Sequence, residues 1–148
     1  MTASSELTSS TSRIDVRGPR FGAAVTAVVL ALAFVTGSVW VLAFQVLVFA
    51  IGAFGGVGRS PYAYLFRTLV RPRLRPPTEF EAPAPPRFAQ TVGLVVTGAG
   101  LVFAVAGAGL AVEISSAVAF VAAFLNAAFG FCLGCEMYLL GARLRPAR

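Results

Sequence analysis

Histidine and lysine are absent from this 148-residue chain, and cysteine occurs only at Cys132 and Cys135. Any thiol or metal chemistry that the chain performs on its own must therefore run through that pair. A closed zinc site wants four ligands. One copy of the chain offers two thiolates and at best Glu136, so only a second copy or a partner could complete such a site. Charge is scarce as well: 12% of residues are charged and 57% are hydrophobic, with a mean hydropathy of +0.82. A soluble domain of this length carries about twice that charged fraction. The composition speaks against an ordinary soluble domain and for an integral membrane protein.

All twelve basic residues are arginine, and the net charge is +6. Together with abundant Ala, Val and Gly, this suggests a GC-rich, bacterial coding sequence. The arginines lie beside apolar runs, so membrane topology is a simpler account of the charge than nucleic-acid binding.

Residues 1–12, MTASSELTSSTS, are polar and lack apolar periodicity, as expected of a disordered tail. RIDVRGPR follows, with Arg13, Arg17 and Arg20 close to the first apolar residue, Phe21. Residues 21–57 then carry no charge, and the only interruption is the turn signal Thr36-Gly37-Ser38. One helix of that length would overshoot a bilayer, whereas two of about 17 to 19 residues each just span it. The spacing predicts a helical hairpin at 21–36 and 39–57. A cleaved signal peptide is the competing reading, weakened by the second apolar run that follows at once.

In the central segment Ser60-Pro61 reads as a helix start, with Ser as N-cap and Pro at the first helical position. Tyr62, Leu65, Phe66, Leu69 and Val70 recur at helical spacing, with Arg67 and Arg71 on other sides. That pattern predicts a short amphipathic helix in the headgroup region. The Pro-rich stretch 76–86 ends it as a semi-stiff linker. Further spans are expected at 89–109 and 115–140, with Glu113 between them. The expected organisation is thus a tail (1–12), a first transmembrane hairpin (13–57), an amphipathic helix and linker (58–87), a second hairpin carrying CxxCE (88–142) and a basic C-terminal tail (143–148).

Arginines precede the first span, fill the central segment and follow the last span, while neither hairpin tip has any. Under the positive-inside rule this places the N-terminus, central segment and C-terminus in the cytoplasm, in a multi-pass protein of the plasma membrane. Arg59, Arg67, Arg71, Arg73 and Arg75 could dock an acidic partner, but lipid anchoring already accounts for their setting.

An internal repeat is also legible. Pro19-Arg20-Phe21 opens the first hairpin and Pro86-Arg87-Phe88 the second. Ala53-Phe54-Gly55 and Ala128-Phe129-Gly130 lie near their ends, followed by Tyr64-Leu65 and Tyr138-Leu139. Both halves start inside, cross, turn and return, so the repeat is expected to be parallel. Where the second half has CLGCE the first has VGRSP, so the cysteines stand outside the repeated pattern.

On a helix, residues three apart share a face with Cα atoms roughly 5 to 6 Å apart, within the range of a disulfide. Cys132 and Cys135 are so spaced, Glu136 borders the same face, and all three are expected near the cytoplasmic boundary. Three chemical readings stand beside a plain one. The first is dithiol–disulfide exchange, in which one thiolate attacks and the other resolves. The second is a persulfide relay using the same residues, and the third a metal site shared between chains. The plain reading is that both cysteines only pack. Against a reactive thiolate stands the expectation that the pair lies late in its helix, far from the stabilising helix N-terminus, with Glu136 repelling negative charge. Gln45 and Asn126, read as mid-span, either line a path for a small solute or hydrogen-bond between helices. The small-residue run in 93–109 could host close helix contacts, without implying a specific homo-oligomer.

With RGPRF, RSPY, VRPRL, PPRFAQ and NAAFGFCLGCEMYLL in view, the chain resembles a family of small bacterial membrane proteins catalogued as domain of unknown function 4395. The resemblance covers roughly residues 13–145 and is most specific around CLGCE. It implies a four-span protein of a family often encoded near thioredoxin-like proteins and thiosulfate sulfurtransferases, and hence thiol or sulfur handling. The layout is also similar to four-helix quinone-coupled disulfide enzymes, which leaves a quinone open as a cofactor by analogy only. Those enzymes work on the oxidising side of the membrane, and their second cysteine pair is missing here.

The expected fold is therefore all-α, with four transmembrane helices in two hairpins and a short interfacial helix. The expected function is a membrane dithiol component, at most a thiol–disulfide oxidoreductase or sulfur-relay subunit, acting through Cys132, Cys135 and Glu136. A small-solute permease for a sulfur oxyanion, using Gln45 and Asn126, is the alternative. A partner-anchoring protein with inert cysteines is a third reading.

Overall fold

The computed structural model describes residues 13–145; the segment 1–12, expected as a tail, and the last three residues with Arg148 lie outside the described part. The first hairpin forms as the turn signal requires. Helix α1 (Arg17–Thr36) ends at Gly37, whose φ of 62° places it in the left-handed region where glycine is least strained. Its N–H reaches back to the Ala33 carbonyl at 2.9 Å. Ser38 is extended and accepts from Val41 N at 3.4 Å, which caps α2 (Val39–Gly55). Two residues thus reverse the chain.

A single 3-10 turn (Val57–Arg59) leads to α3 (Pro61–Leu65), which widens into a π turn (Phe66–Val70). Ser60 caps α3 by accepting from Tyr62 N at 3.3 Å, with Pro61 at the first position, as the sequence signal predicts. Tyr62 and Phe66 are buried, while Tyr64, Leu65 and Leu69 are exposed. The buried pair faces the start of α1, where a Cβ on Gly22 would lie 3.9 Å from Tyr62 Cβ and one on Gly18 would lie 3.6 Å from Phe66 Cδ1.

The Pro-rich stretch does not run free between the halves. Its β2 (Phe80–Glu81) pairs antiparallel with β1 (Ile14–Asp15). Arg17 ties the junction by an ion pair with Asp15 at 2.8 Å and a hydrogen bond to the Arg75 carbonyl at 3.0 Å. The bond to Arg17 holds the Asp15 carboxyl below its ordinary range. Two residue pairs are too short for alternation to be legible in sequence, so this ribbon was not foreseen.

Helix α4 (Ala84–Val105) begins earlier than the expected span at 89–109, because Pro85 and Pro86 fit the first turn of a helix, where no intrahelical N–H is needed. Helix α5 (Ala111–Phe129) ends at Gly130, with φ 68°. The Gly130 N–H bonds the Asn126 carbonyl at 2.9 Å and the Phe131 N–H bonds that of Leu125 at 3.3 Å, closing the helix with a left-handed glycine. The expected single span 115–140 is therefore broken. Residues 130–132 turn the chain, and a separate helix α6 (Leu133–Leu144) packs back against the start of α4. Apolar residues continue across the break, so composition alone does not mark it.

Three helices, α1, α4 and α5, are long and apolar enough to cross a membrane; α2 is apolar but, at 17 residues, shorter. Helix α1 packs most closely on α5 and α2 on α4, with α1–α2 and α4–α5 as further neighbours. Leu30, Ala33, Leu42, Val112 and Ala119 form the buried apolar cluster. Helices α2 and α4 approach closely because Gly93 leaves room for the Phe49 ring; a Cβ there would lie 2.7 Å from Phe49 Cζ. Outside the cluster large apolar side chains stand exposed, Val35 at 80% and Trp40 at 85% among them. A surface this apolar is compatible with lipid contact.

Candidate functional site

The two cysteines lie at the beginning of a helix, which reverses the expectation from sequence. Cys132 is the N-cap of α6, with extended backbone (φ −91°, ψ 107°), and its Sγ accepts from Cys135 N at 3.2 Å. The Glu136 N–H closes the first turn on the Cys132 carbonyl at 3.0 Å. Cys132 and Cys135 are joined as a disulfide, with Cα atoms 5.1 Å apart. Both are partly buried and Glu136 is exposed. The break at Gly130 is the cause: it ends α5 before the cysteines and lets a new helix start on them. The expectation that the pair lies far from a helix N-terminus, which counted against thiol reactivity in the sequence, is thereby removed.

Neighbouring groups fix the turn. From α1, the Arg20 guanidinium donates to the Ala127 carbonyl at 3.2 Å, a free carbonyl at the end of α5. Its Cζ would lie 3.7 Å from a Cβ on Gly130, an ordinary contact, so the positive φ rather than space calls for glycine here. Gly134 sits directly on α4, where a Cβ would come within 2.5 Å of Ala89 Cα. Phe88 and Tyr138 pair with ring centroids 5.8 Å apart. At the start of α4, Arg87 repeats the role of Arg20: it donates to the carbonyls of Ala53 at 2.7 Å and Phe54 at 2.9 Å, at the end of α2. In the sequence Arg20 and Arg87 stand as topology charges and as members of a repeated triplet, with no sign of these contacts.

The remaining candidates are dispersed. Gln45 is fully buried in α2, and its Oε1 accepts from Tyr62 Oη at 2.7 Å. Burial pushes the Tyr62 phenol up to about 12, further from ionising than an exposed tyrosine. Oε1 thus makes the interelement bond expected of a buried amide, while the Gln45 Nε2 is buried without a partner. Asn126 is partly buried in the last turn of α5, because the helix ends at Phe129, and so is not central in its helix as expected. Arg59, Arg67, Arg71, Arg73 and Arg75 are all exposed. Arg67 donates to the Gly58 carbonyl at 2.6 Å, bracing the turn ahead of α3. Among the described residues no three of histidine, cysteine, aspartate and glutamate are grouped so as to hold a metal ion.

Fold and site together define an all-helical protein with membrane-length apolar helices and a cysteine pair at the start of a short helix. The profile of the family described as "Domain of unknown function (DUF4395)" matches residues 14–143, and the chain belongs to that family. No curated protein and no solved structure matches it.

Proposed function

We propose that the chain is a membrane dithiol component that exchanges a disulfide, or relays sulfane sulfur, through Cys132 and Cys135 at the cytoplasmic boundary of the plasma membrane. The observation that carries this reading is the position of the pair. Its disulfide closes the first turn of α6, and Cys132 caps that helix. Packing alone calls for neither a cap nor a bond. Glu136, exposed one residue beyond Cys135, is the group that would exchange protons with water.

In this reading α2 is the fourth crossing, joined to α1 by a two-residue turn and packed on α4. At about 1.5 Å per residue it is a little shorter than the hydrocarbon core, a mismatch that local thinning accommodates. The two hairpins form a repeat. The reciprocal pairs Arg20–Ala127 and Arg87–Ala53 support it, since each half's opening arginine caps the other half's returning helix. The arginine distribution orients both termini to the cytoplasm, with Arg59, Arg67, Arg71, Arg73 and Arg75 toward headgroups or an acidic partner. The natural partner is a cytoplasmic thioredoxin-like protein or thiosulfate sulfurtransferase, which makes the chain a relay or accessory subunit. For the permease alternative, Gln45 spends its Oε1 on Tyr62 and Asn126 sits in the last turn of α5, so the two do not share the middle of their helices.

The test is the redox state of the pair in living cells, by acid trapping, differential alkylation of membranes and mass spectrometry. A disulfide or persulfide fraction that moves when the cytoplasmic thiol pool is oxidised or sulfur is supplied supports the proposal. Cysteines that remain in one state, unmodified by sulfur, leave packing as the account.

A further inference from the structure

We infer that Cys132 is the attacking thiol and Cys135 the resolving thiol, with Arg20 as a positioning residue that adds positive charge to the turn before Cys132. The inference rests on the dithiol reading above and assigns roles within it.

Spacing alone treats the two cysteines alike, and the fold does not. Cys132 precedes α6 as its cap, and its Sγ already receives the Cys135 N–H at 3.2 Å. A thiolate there is placed to keep that hydrogen bond and faces the unpaired N–H groups of the first turn. Cys135 lies inside the helix, and its own N–H is spent on Cys132. The second observation is the guanidinium of Arg20, held by the Ala127 carbonyl and lying beside Gly130, two residues before Cys132. The charged and titratable groups on the elements around the pair are Arg17 and Arg20 on α1, Arg87 on α4, Glu113 in the first turn of α5, at its opposite end, and Glu136, Tyr138 and Arg143 on α6 itself. Glu136 follows Cys135 directly in the chain, and Arg20 meets the chain at Ala127 and Gly130, ahead of Cys132 in sequence. Cap and dipole thus distinguish the two cysteines in the same sense, and the charge of Arg20 on the preceding turn is added to them.

The step this defines is balanced with a partner disulfide as the oxidant. The Cys132 thiolate attacks one partner sulfur, the partner's S–S bond breaks, and its other sulfur leaves as a thiolate. Cys135 then loses its proton and attacks the Cys132 sulfur of the mixed disulfide. The Cys132–Cys135 bond forms and the second partner sulfur leaves. Two electrons pass to the partner, and the protons released by the two cysteines offset those its thiolates take up.

The experiment uses the full-length protein in lipid nanodiscs and reads iodoacetamide alkylation rate against pH. Cys135→Ser isolates Cys132, and Cys132→Ser isolates Cys135 while a serine hydroxyl keeps the cap. The Cys132 profile is expected to have its midpoint below the ordinary thiol value of about 8.5, with Cys135 at or above it. One unit between them gives about a tenfold difference in thiolate fraction at neutral pH. Arg20→Ala is expected to raise the Cys132 midpoint and Arg20→Lys to restore it, whereas Arg87→Ala leaves it in place. Equal midpoints, or a lower one at Cys135, overturn the assignment. An unmoved midpoint in Arg20→Ala overturns the role of the arginine. Redox cycling of the unmodified pair in cells separates the levels: cycling with reversed midpoints sinks only the role assignment, and no cycling sinks the dithiol reading itself.

Discussion

Helices α3 and α6 are built alike and do different things. Each is short, follows a longer apolar helix, and returns against the start of the first long helix of its own half. Each sets an aromatic ring on a phenylalanine there, Phe66 on Phe21 and Tyr138 on Phe88, both at 5.8 Å. Each meets that helix at a small residue, Tyr62 at Gly22 and Gly134 at Ala89. Each is capped by its own N-terminal side chain, Ser60 in one and Cys132 in the other. As caps, Cys132 corresponds to Ser60 and not to Val57, its counterpart in the sequence register; where α3 then has Ala63, α6 has Cys135, and the cap becomes half of a disulfide. The thiols thus occupy a place that the scaffold already holds in position, and the comparison separates what holds the end of a helix from what could do chemistry there.

The largest expected effect removes the difference. Cys132→Ser or Cys135→Ser should abolish every two-electron titration of the protein while α6 persists, because serine caps at least as well as cysteine. A redox titration paired with a thermal melt checks both halves of that statement. The converse is to build the difference at the other end. Ser60→Cys with Ala63→Cys should give α3 an oxidisable pair, seen as the loss of two hydrogens in intact mass after mild oxidation. Failure to oxidise would show that the two turns are not equivalent.

Smaller effects probe the packing. Gly134→Ala should cost about 1–3 kcal/mol, because the new methyl group meets α4 backbone at Ala89. Gly22→Ala has open contact with Tyr62 and should be neutral or stabilising by up to about 1 kcal/mol. Both are read from denaturation in detergent, and the same sign for the two would break the comparison. Arg87→Ala should destabilise by about 1 kcal/mol through loss of the bonds to Ala53 and Phe54, and Arg20→Ala by less, having one longer bond. The mildest effect is on acidification. Asp15 titrates low because of Arg17, so its contribution is complete above the unfolded carboxylate value of about 3.9 and is lost as pH falls through the lowered one. Asp15→Asn should remove that acid transition from hydrogen exchange of the β1–β2 ribbon.

Much of this was legible in the sequence where punctuation is strong. Thr36-Gly37-Ser38 and Ser60-Pro61 each combine a residue suited to a cap with one suited to a turn, and both elements begin or end where those residues say. The start of α6 was not legible. Gly130 is the proper signal for a helix end, but it stands in an unbroken apolar run, and cysteine is not among the usual capping residues. Reading 115–140 as one helix put the pair at the wrong end of a dipole and counted against a reactive thiol. The caps by Arg20 and Arg87 were equally hidden, since a charge beside a span already has a sufficient reason to be there.

The most direct measurement is the midpoint potential of the Cys132–Cys135 pair in the full-length protein in nanodiscs, equilibrated against graded dithiothreitol buffers and read by mass spectrometry. A disulfide-exchange component should titrate reversibly as a two-electron couple near the thioredoxin value of about −270 mV. A disulfide that stays closed well below about −300 mV, as structural disulfides do, or thiols that never pair across the range, would contradict the account.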